Sequence, residues 1–104
     1  MELAIEAARS DYGFEFDRAL RVERAAFAAK VRAARAVLGL SQDEFAQAIG
    51  LTQKSVYRIE QGAVEPKIRT IAKIEQFWVR QGICFEHVRG GGFRLVVESR
   101  VLLR

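Results

Sequence analysis

The middle of the chain, LSQDEFAQAIGLTQKSVYRIEQG over residues 40–62, contains the start signals of two short helices with almost no room between them. Ser41 followed by Glu44 three residues later forms a capping box, which predicts a helix over 42–49. Gly50 directly after that segment is typical of a helix C-terminus. This arrangement fixes the start and the end of the first of the two helices.

The second helix is predicted over 52–61, because Thr52 is a good N-cap only two residues after that glycine. At about 100° per residue, Val56 and Ile59 fall on one side of it and polar residues fall on the other. Two helices joined by so short a turn cross steeply, and a small residue such as Ala46 lets their backbones approach. The pair is therefore predicted to be a helix-turn-helix.

Two further helices flank this pair. A stripe of apolar residues at spacings of four, three and four predicts a first core helix that ends at Gly39, and its members are Phe27, Val31, Ala34 and Leu38. Pro66 suits the first turn of a last helix that ends before Gly82. The apolar stripe of that helix consists of Ile71, Ile74 and Trp78. Four helices in so short a stretch predict a mainly α bundle.

The ends of the chain differ from this middle part. After residue 82 the apolar period changes to two around a Gly-rich turn, which predicts a β-hairpin or strand within 83–104. Residues 1–24 are alanine-rich and are expected to be partly helical, with a break near SDYG at 10–13. We therefore expect an N-terminal extension over 1–24, a helix-turn-helix domain over 25–82, and a C-terminal hairpin over 83–104 that is a possible dimerisation element.

Charge and cysteine content limit the classes of function. Residues 1–24 hold six acids and four arginines, which leaves 13 bases against seven acids in the rest of the chain. The positive net charge of residues 25–104 favours a polyanionic partner. With one cysteine, Cys84, and one histidine, His87, we expect no disulfide, no metal site and no cofactor. We expect a cytoplasmic protein without a membrane segment, in which Cys84 is a buried small hydrophobe.

The polar face of the helix over 52–61 carries the residue types that read base pairs. Gln53 can present a donor and an acceptor to adenine, and Lys54 and Arg58 can donate to O6 and N7 of guanine. Hydroxyls of Ser55 and Tyr57 suit phosphate contacts. Lys67 and Arg69 add positive charge at the start of the last helix, where backbone amides already attract anions.

Residues 25–81 resemble the lambda-repressor-like, or XRE-type, helix-turn-helix DNA-binding domains, in which the sequence quoted above is followed by a helix that begins with proline. The resemblance implies a dimeric, operator-binding transcriptional regulator. It also implies that Gln42 binds a DNA phosphate and that Arg35 pairs with Glu60 to hold the first helix to the third. The first 24 residues have no counterpart in this family.

The leading hypothesis is thus a sequence-specific regulator of double-stranded DNA, a homodimeric repressor that reads the major groove. The alternative is a protein-interaction module on the same bundle, such as an antitoxin or adaptor. The strand around 93–97, the last helix of the bundle or the N-terminal segment could form the dimer. An enzyme is not expected, because the chain lacks a nucleophile with a partner, a paired acid and base, and a phosphate-cradling loop.

Overall fold

The computed structural model describes the backbone of residues 2–103 and the side chains of residues 15–103. The chain is mainly helical and carries a two-stranded antiparallel hairpin near its C-terminus, as the sequence predicts. The hairpin ends at Val97, and residues 99–102, which were expected to belong to it, form a short helix. Its elements, in chain order, are α1 (Glu2–Leu38), α2 (Gln42–Ile49), α3 (Gln53–Glu60), α4 (Ile68–Arg80), β1 (Ile83–His87), β2 (Phe93–Val97) and α5 (Ser99–Leu102). No helix within the described residues is long and apolar enough to span a membrane.

Helix α1 is continuous over 37 residues, so the N-terminal extension and the first core helix are parts of one helix. The break expected at residues 10–13 is wrong. A lone glycine such as Gly13 costs a helix only about 1 kcal/mol relative to alanine, and the surrounding alanine, leucine, glutamate and arginine residues are good helix formers.

The caps of α2 form as predicted. Ser41 Oγ accepts a hydrogen bond from the Glu44 backbone N–H at 3.0 Å, and the Glu44 carboxylate accepts one from the Ser41 N–H at 2.9 Å. The second of these bonds, with a smaller contribution from the Ser41 hydroxyl, lowers the pKa of Glu44. Gly50 ends the helix with φ of 73°, a left-handed conformation that glycine adopts without strain.

Helix α3 starts at the expected cap and α4 starts later than expected. Thr52 Oγ1 accepts a hydrogen bond from the Ser55 N–H at 3.1 Å, which fixes the first turn of α3. Helix α4 begins at Ile68, so Pro66 lies in the preceding loop and not in the first helical turn. Lys67 occupies the N-cap position without a side-chain cap bond.

One apolar core joins the four helices and the first strand. Its buried members are Val31, Ala34, Phe45, Ala46, Ile49, Val56, Ile59, Ile74, Trp78 and Ile83. Of the other residues in the predicted stripes, Phe27 and Leu38 are partly buried against this core, and Ile71 is half-buried. Trp78 packs edge-on against Phe85 of β1, with ring centroids 4.9 Å apart. Because α3 contributes its apolar side to this core, its opposite side is presented outward.

The hairpin packs on the bundle through one face only. Its register pairs Ile83 with Val97 and His87 with Phe93. Ile83 is buried, whereas Cys84, one residue along, points to the other face and is exposed. The prediction that Cys84 is buried is therefore wrong, because a two-stranded sheet covered on one side buries only alternate residues.

The junction between α4 and β1 depends on a glycine. Gly82 is buried and has φ of 96°, and a Cβ at this position would lie 2.6 Å from the Val101 Cγ2 atom of α5. The Gly82 carbonyl also accepts a hydrogen bond from the Glu98 N–H at 2.9 Å. Gly82 thus allows the strands and α5 to fold back against the end of α4.

Candidate nucleic-acid interface

Helix α3 has one buried side and one exposed side. Val56, Ile59 and Glu60 are buried. The residues predicted to read bases, Gln53, Lys54 and Arg58, are all exposed, and so is Tyr57, at 50% of its maximal area. At a rise of 1.5 Å per residue, α3 is about 12 Å long, a size that the major groove of B-DNA admits.

A buried carboxylate anchors α3 to α1. Glu60 is only 2% exposed, and its two carboxylate oxygens accept hydrogen bonds from Arg35 Nε at 2.8 Å and from Arg35 Nη2 at 3.0 Å. A third Arg35 nitrogen donates to the Leu40 carbonyl at 3.0 Å. The hydrogen bond to Glu60 raises the pKa of Arg35, against a smaller effect of burial. This bidentate geometry fixes the angle of α3 on the bundle.

Two glutamines extend this network to the exposed side of α3. Gln42, the first residue of α2, donates from Nε2 to Glu60 Oε1 at 3.2 Å. Its own side-chain oxygen accepts a hydrogen bond from Gln53 Nε2 at 2.8 Å. The predicted phosphate ligand Gln42 and the predicted base reader Gln53 therefore touch, and the orientation of Gln53 is set through a chain of bonds that starts at Arg35.

The two cations on the exposed side of α3 have no competing partners. The side chains of Lys54 and Arg58 form neither a hydrogen bond nor an ion pair with any residue that the structure describes. Both are exposed, so they carry their charge in water in front of the helix. They are available to donate to an incoming acceptor such as guanine or phosphate.

The other predicted phosphate ligands lie at helix starts. Ser55 is half-buried, and its hydroxyl oxygen accepts a hydrogen bond from Thr52 Oγ1 at 2.9 Å, which leaves its hydroxyl hydrogen for an acceptor. Lys67 and Arg69 are exposed on either side of the first residue of α4. The structure thus places them on a different element from the reading side chains, where they could contact only the flanking backbone of a nucleic acid.

The sequence analysis missed Arg32. This residue lies one turn before Arg35 on α1, and its Nη1 donates to the main-chain carbonyl of Glu60 at the end of α3. Cations near a helix C-terminus satisfy carbonyls that lack an intrahelical partner. The spacing of three residues between Arg32 and Arg35 was the available signal, since it places both on one side of α1.

Comparison with known proteins gives one match. A family model described as helix-turn-helix matches residues 31–77, from the middle of α1 to the last turns of α4. The matched segment includes Arg35, Gln42, all of α3 and Glu60. No curated protein matches the chain.

Proposed function

Residues 31–77 form an XRE-type helix-turn-helix domain of the lambda-repressor-like family of DNA-binding transcription regulators, and from this premise we propose that the protein is a homodimeric repressor. It recognises a specific site in double-stranded DNA by placing α3 in the major groove. Occupying an operator is sufficient to block access to it, so repression needs no additional surface. The protein acts in the cytoplasm, on the nucleoid when it is bound to DNA.

The observation that carries this proposal is the exposed side of α3, where one oriented amide stands beside two cations that lack partners in the described chain. Gln53 is held by Gln42, and Gln42 by the buried Glu60. An amide oriented before binding loses little conformational entropy on meeting adenine. Lys54 and Arg58 add donors for guanine, so the three side chains form a reading surface with mixed preferences.

The phosphate contacts of the proposal set the register of the protein on DNA. Gln42 and Ser55 contribute donors from the first turns of α2 and α3, and Tyr57 contributes one from the exposed side of α3. Lys67 and Arg69 add positive charge at the start of α4. Such contacts orient a protein on the duplex without selecting a sequence. Mutating one of them weakens binding to all sequences by a similar factor.

Exposed apolar residues near the C-terminus support a homodimer. Leu95 and Val96 of β2 are 37% and 41% exposed, and Leu102 and Leu103 beyond it are more exposed still. Strand β2 pairs with β1 on one edge only, so its other edge can accept a second copy. A dimer of this kind reads two half-sites about 34 Å or a multiple of 34 Å apart, related by two-fold symmetry.

Selection of bound sequences from a random duplex pool tests the proposal. We expect enrichment of a motif with two-fold symmetry. On the enriched duplex, Arg58→Ala should cost about 1 to 3 kcal/mol and relax the preference at one base position, because it removes one direct contact. Arg89→Ala, at an exposed arginine in the hairpin turn, is the matched control.

Three results would count against parts of the proposal. Equal losses for Arg58→Ala on enriched and random duplex would contradict base reading by Arg58. An enriched motif without symmetry, together with a monomeric mass in light scattering, would contradict the homodimer. Absence of salt-dependent binding to any duplex would favour a protein-interaction module such as an antitoxin or adaptor.

A further inference from the structure

A cleft with three arginines lies between α1 and the end of α3. The cleft has a volume of about 320 Å³. It is lined by Arg21, Arg24 and Arg32 of α1 and by Gln61 and Gly62, the two residues that follow α3. The remaining lining residues are Ala25 and Ala28, so none of its described lining residues is acidic. Three like charges in one cleft repel one another unless an anion shares it.

Stabilising the C-terminal end of α3 does not require all three arginines. Arg32 alone donates to the Glu60 carbonyl, which a cation at a helix C-terminus commonly does. The side chains of Arg21 and Arg24 form no hydrogen bond and no ion pair with any side chain that the structure describes. Stabilisation of the helix end therefore accounts for Arg32 and leaves Arg21 and Arg24 without a polar partner among residues 15–103.

The position of the cleft suggests its ligand. A recognition helix contacts base edges with its N-terminal residues, so its C-terminal end points toward the rim of the groove, where the phosphates are. Gln53 and Gln61 are eight residues apart, which is about 12 Å along the helix. The cleft thus lies about 12 Å along α3 from Gln53 and one turn beyond Arg58, where the sugar-phosphate backbone runs when α3 lies in the major groove.

We propose that the arginine cleft formed by Arg21, Arg24 and Arg32 binds phosphodiester groups of the DNA backbone beside the half-site that α3 reads. The planar guanidinium fork suits phosphate oxygens in a bidentate geometry. The contact extends the footprint of the domain by using the part of α1 that precedes the matched segment, residues 31–77. This inference rests on the proposed function, because it requires α3 to lie in the major groove.

The test is the salt dependence of DNA binding by the full chain, measured by fluorescence anisotropy on the enriched duplex. Each phosphate contact contributes about 0.9 to the slope of log K against log salt concentration. In a dimer on a symmetric site, Arg21→Gln combined with Arg24→Gln removes two contacts from each protomer, so it should lower that slope by about 3.6 and weaken binding to all sequences by a similar factor. The matched control, Arg80→Gln combined with Arg89→Gln, removes the same net charge from exposed residues at the end of α4 and in the hairpin turn, and it should leave the slope nearly unchanged.

Shortening the duplex to the enriched motif provides a second arm. If the cleft binds flanking phosphates, removing them should abolish the difference between the wild-type protein and the Arg21/Arg24 variant. Equal slopes for this variant and for the Arg80/Arg89 control would overturn the inference, since the effect would then be net charge alone. If the wild-type protein binds no duplex, the proposed function fails as well. If it binds and Arg58→Ala weakens base preference, but the Arg21/Arg24 variant keeps the wild-type slope and affinity, the cleft alone is refuted.

Discussion

Glu60→Gln tests whether the buried carboxylate holds α3 in place. The carboxylate accepts two hydrogen bonds from Arg35 and one from Gln42. Glutamine has nearly the same shape but only one acceptor oxygen, so its amide nitrogen would face a donor of Arg35 or Gln42. The substitution therefore removes charge and at least one charge-assisted hydrogen bond without leaving a cavity.

The expected loss of stability follows from these contacts. A hydrogen bond to a charged group contributes about 1.5 to 3 kcal/mol, and breaking a fully buried ion pair costs about 3 to 5 kcal/mol. The Arg35 side chain is 25% exposed, so water can replace part of the lost contact. We therefore expect the free energy of unfolding to fall by about 2 to 3 kcal/mol, which corresponds to a decrease in Tm of about 9 to 14 °C for a domain of this size.

Urea unfolding followed by tryptophan fluorescence measures this change, because the chain has a single tryptophan, Trp78, and it is buried in the core. Glu75→Gln, at an exposed glutamate of α4, is the matched control and should change stability by less than about 0.5 kcal/mol. A double-mutant cycle with Arg35→Met isolates the pair. A loss for Glu60→Gln as small as for the control, or no coupling in the cycle, would refute the argument.

Two other predictions concern packing, and each is read from Tm. Ala46→Leu should destabilise the fold by about 1 to 3 kcal/mol, because Ala46 is buried in the core beside α3. Ala48→Leu, on the exposed side of α2, should have little effect. Equal Tm values for the two variants would place Ala46 outside the crossing of α2 and α3. Gly82→Ala should lower the Tm more than Gly90→Ala. Both glycines have φ near 90°, but of the two only Gly82 lacks room for a Cβ, which would clash with Val101. Similar losses at the two glycines would show that backbone strain, and not the clash, dominates.

The helix boundaries of the central region could be predicted from the sequence because their signals are local. The capping box of Ser41 and Glu44, the cap at Thr52 and the left-handed Gly50 each involve residues within a few positions of one another. Such interactions form with the same geometry in any surrounding structure. The helical apolar stripes likewise placed Val31, Ile74 and other residues in the core without knowledge of the fold.

Two expectations failed where the outcome depended on competition or packing. The break in α1 was expected because glycine weakens a helix, but the penalty is smaller than the combined preference of its neighbours. Cys84 was expected to be buried on residue type alone, and its exposure depends on which face of the hairpin the bundle covers. Neither result could be obtained from residue preferences considered one at a time.

At the candidate interface, too, some features could be predicted from the sequence and others depend on contacts between helices. Helical periodicity on its own placed Gln53, Lys54 and Arg58 on the polar side of α3, and they are exposed. The resemblance to a known family placed Arg35 beside Glu60, and the structure contains that ion pair. The bond between Gln42 and Gln53, and the cleft that joins Arg21 and Arg24 to the end of α3, link residues from different helices.

The sequence by itself determined where α2 and α3 begin and end and which side of each bundle helix is apolar, because caps and periodicity act over a few residues along the chain. Only the tertiary structure decided which polar groups meet across helices. These contacts set the orientation of Gln53, and the same packing brings Arg21, Arg24 and Arg32 into one cleft. The physical reason is that such contacts depend on crossing angles and distances between elements, which result from the packing of the whole core.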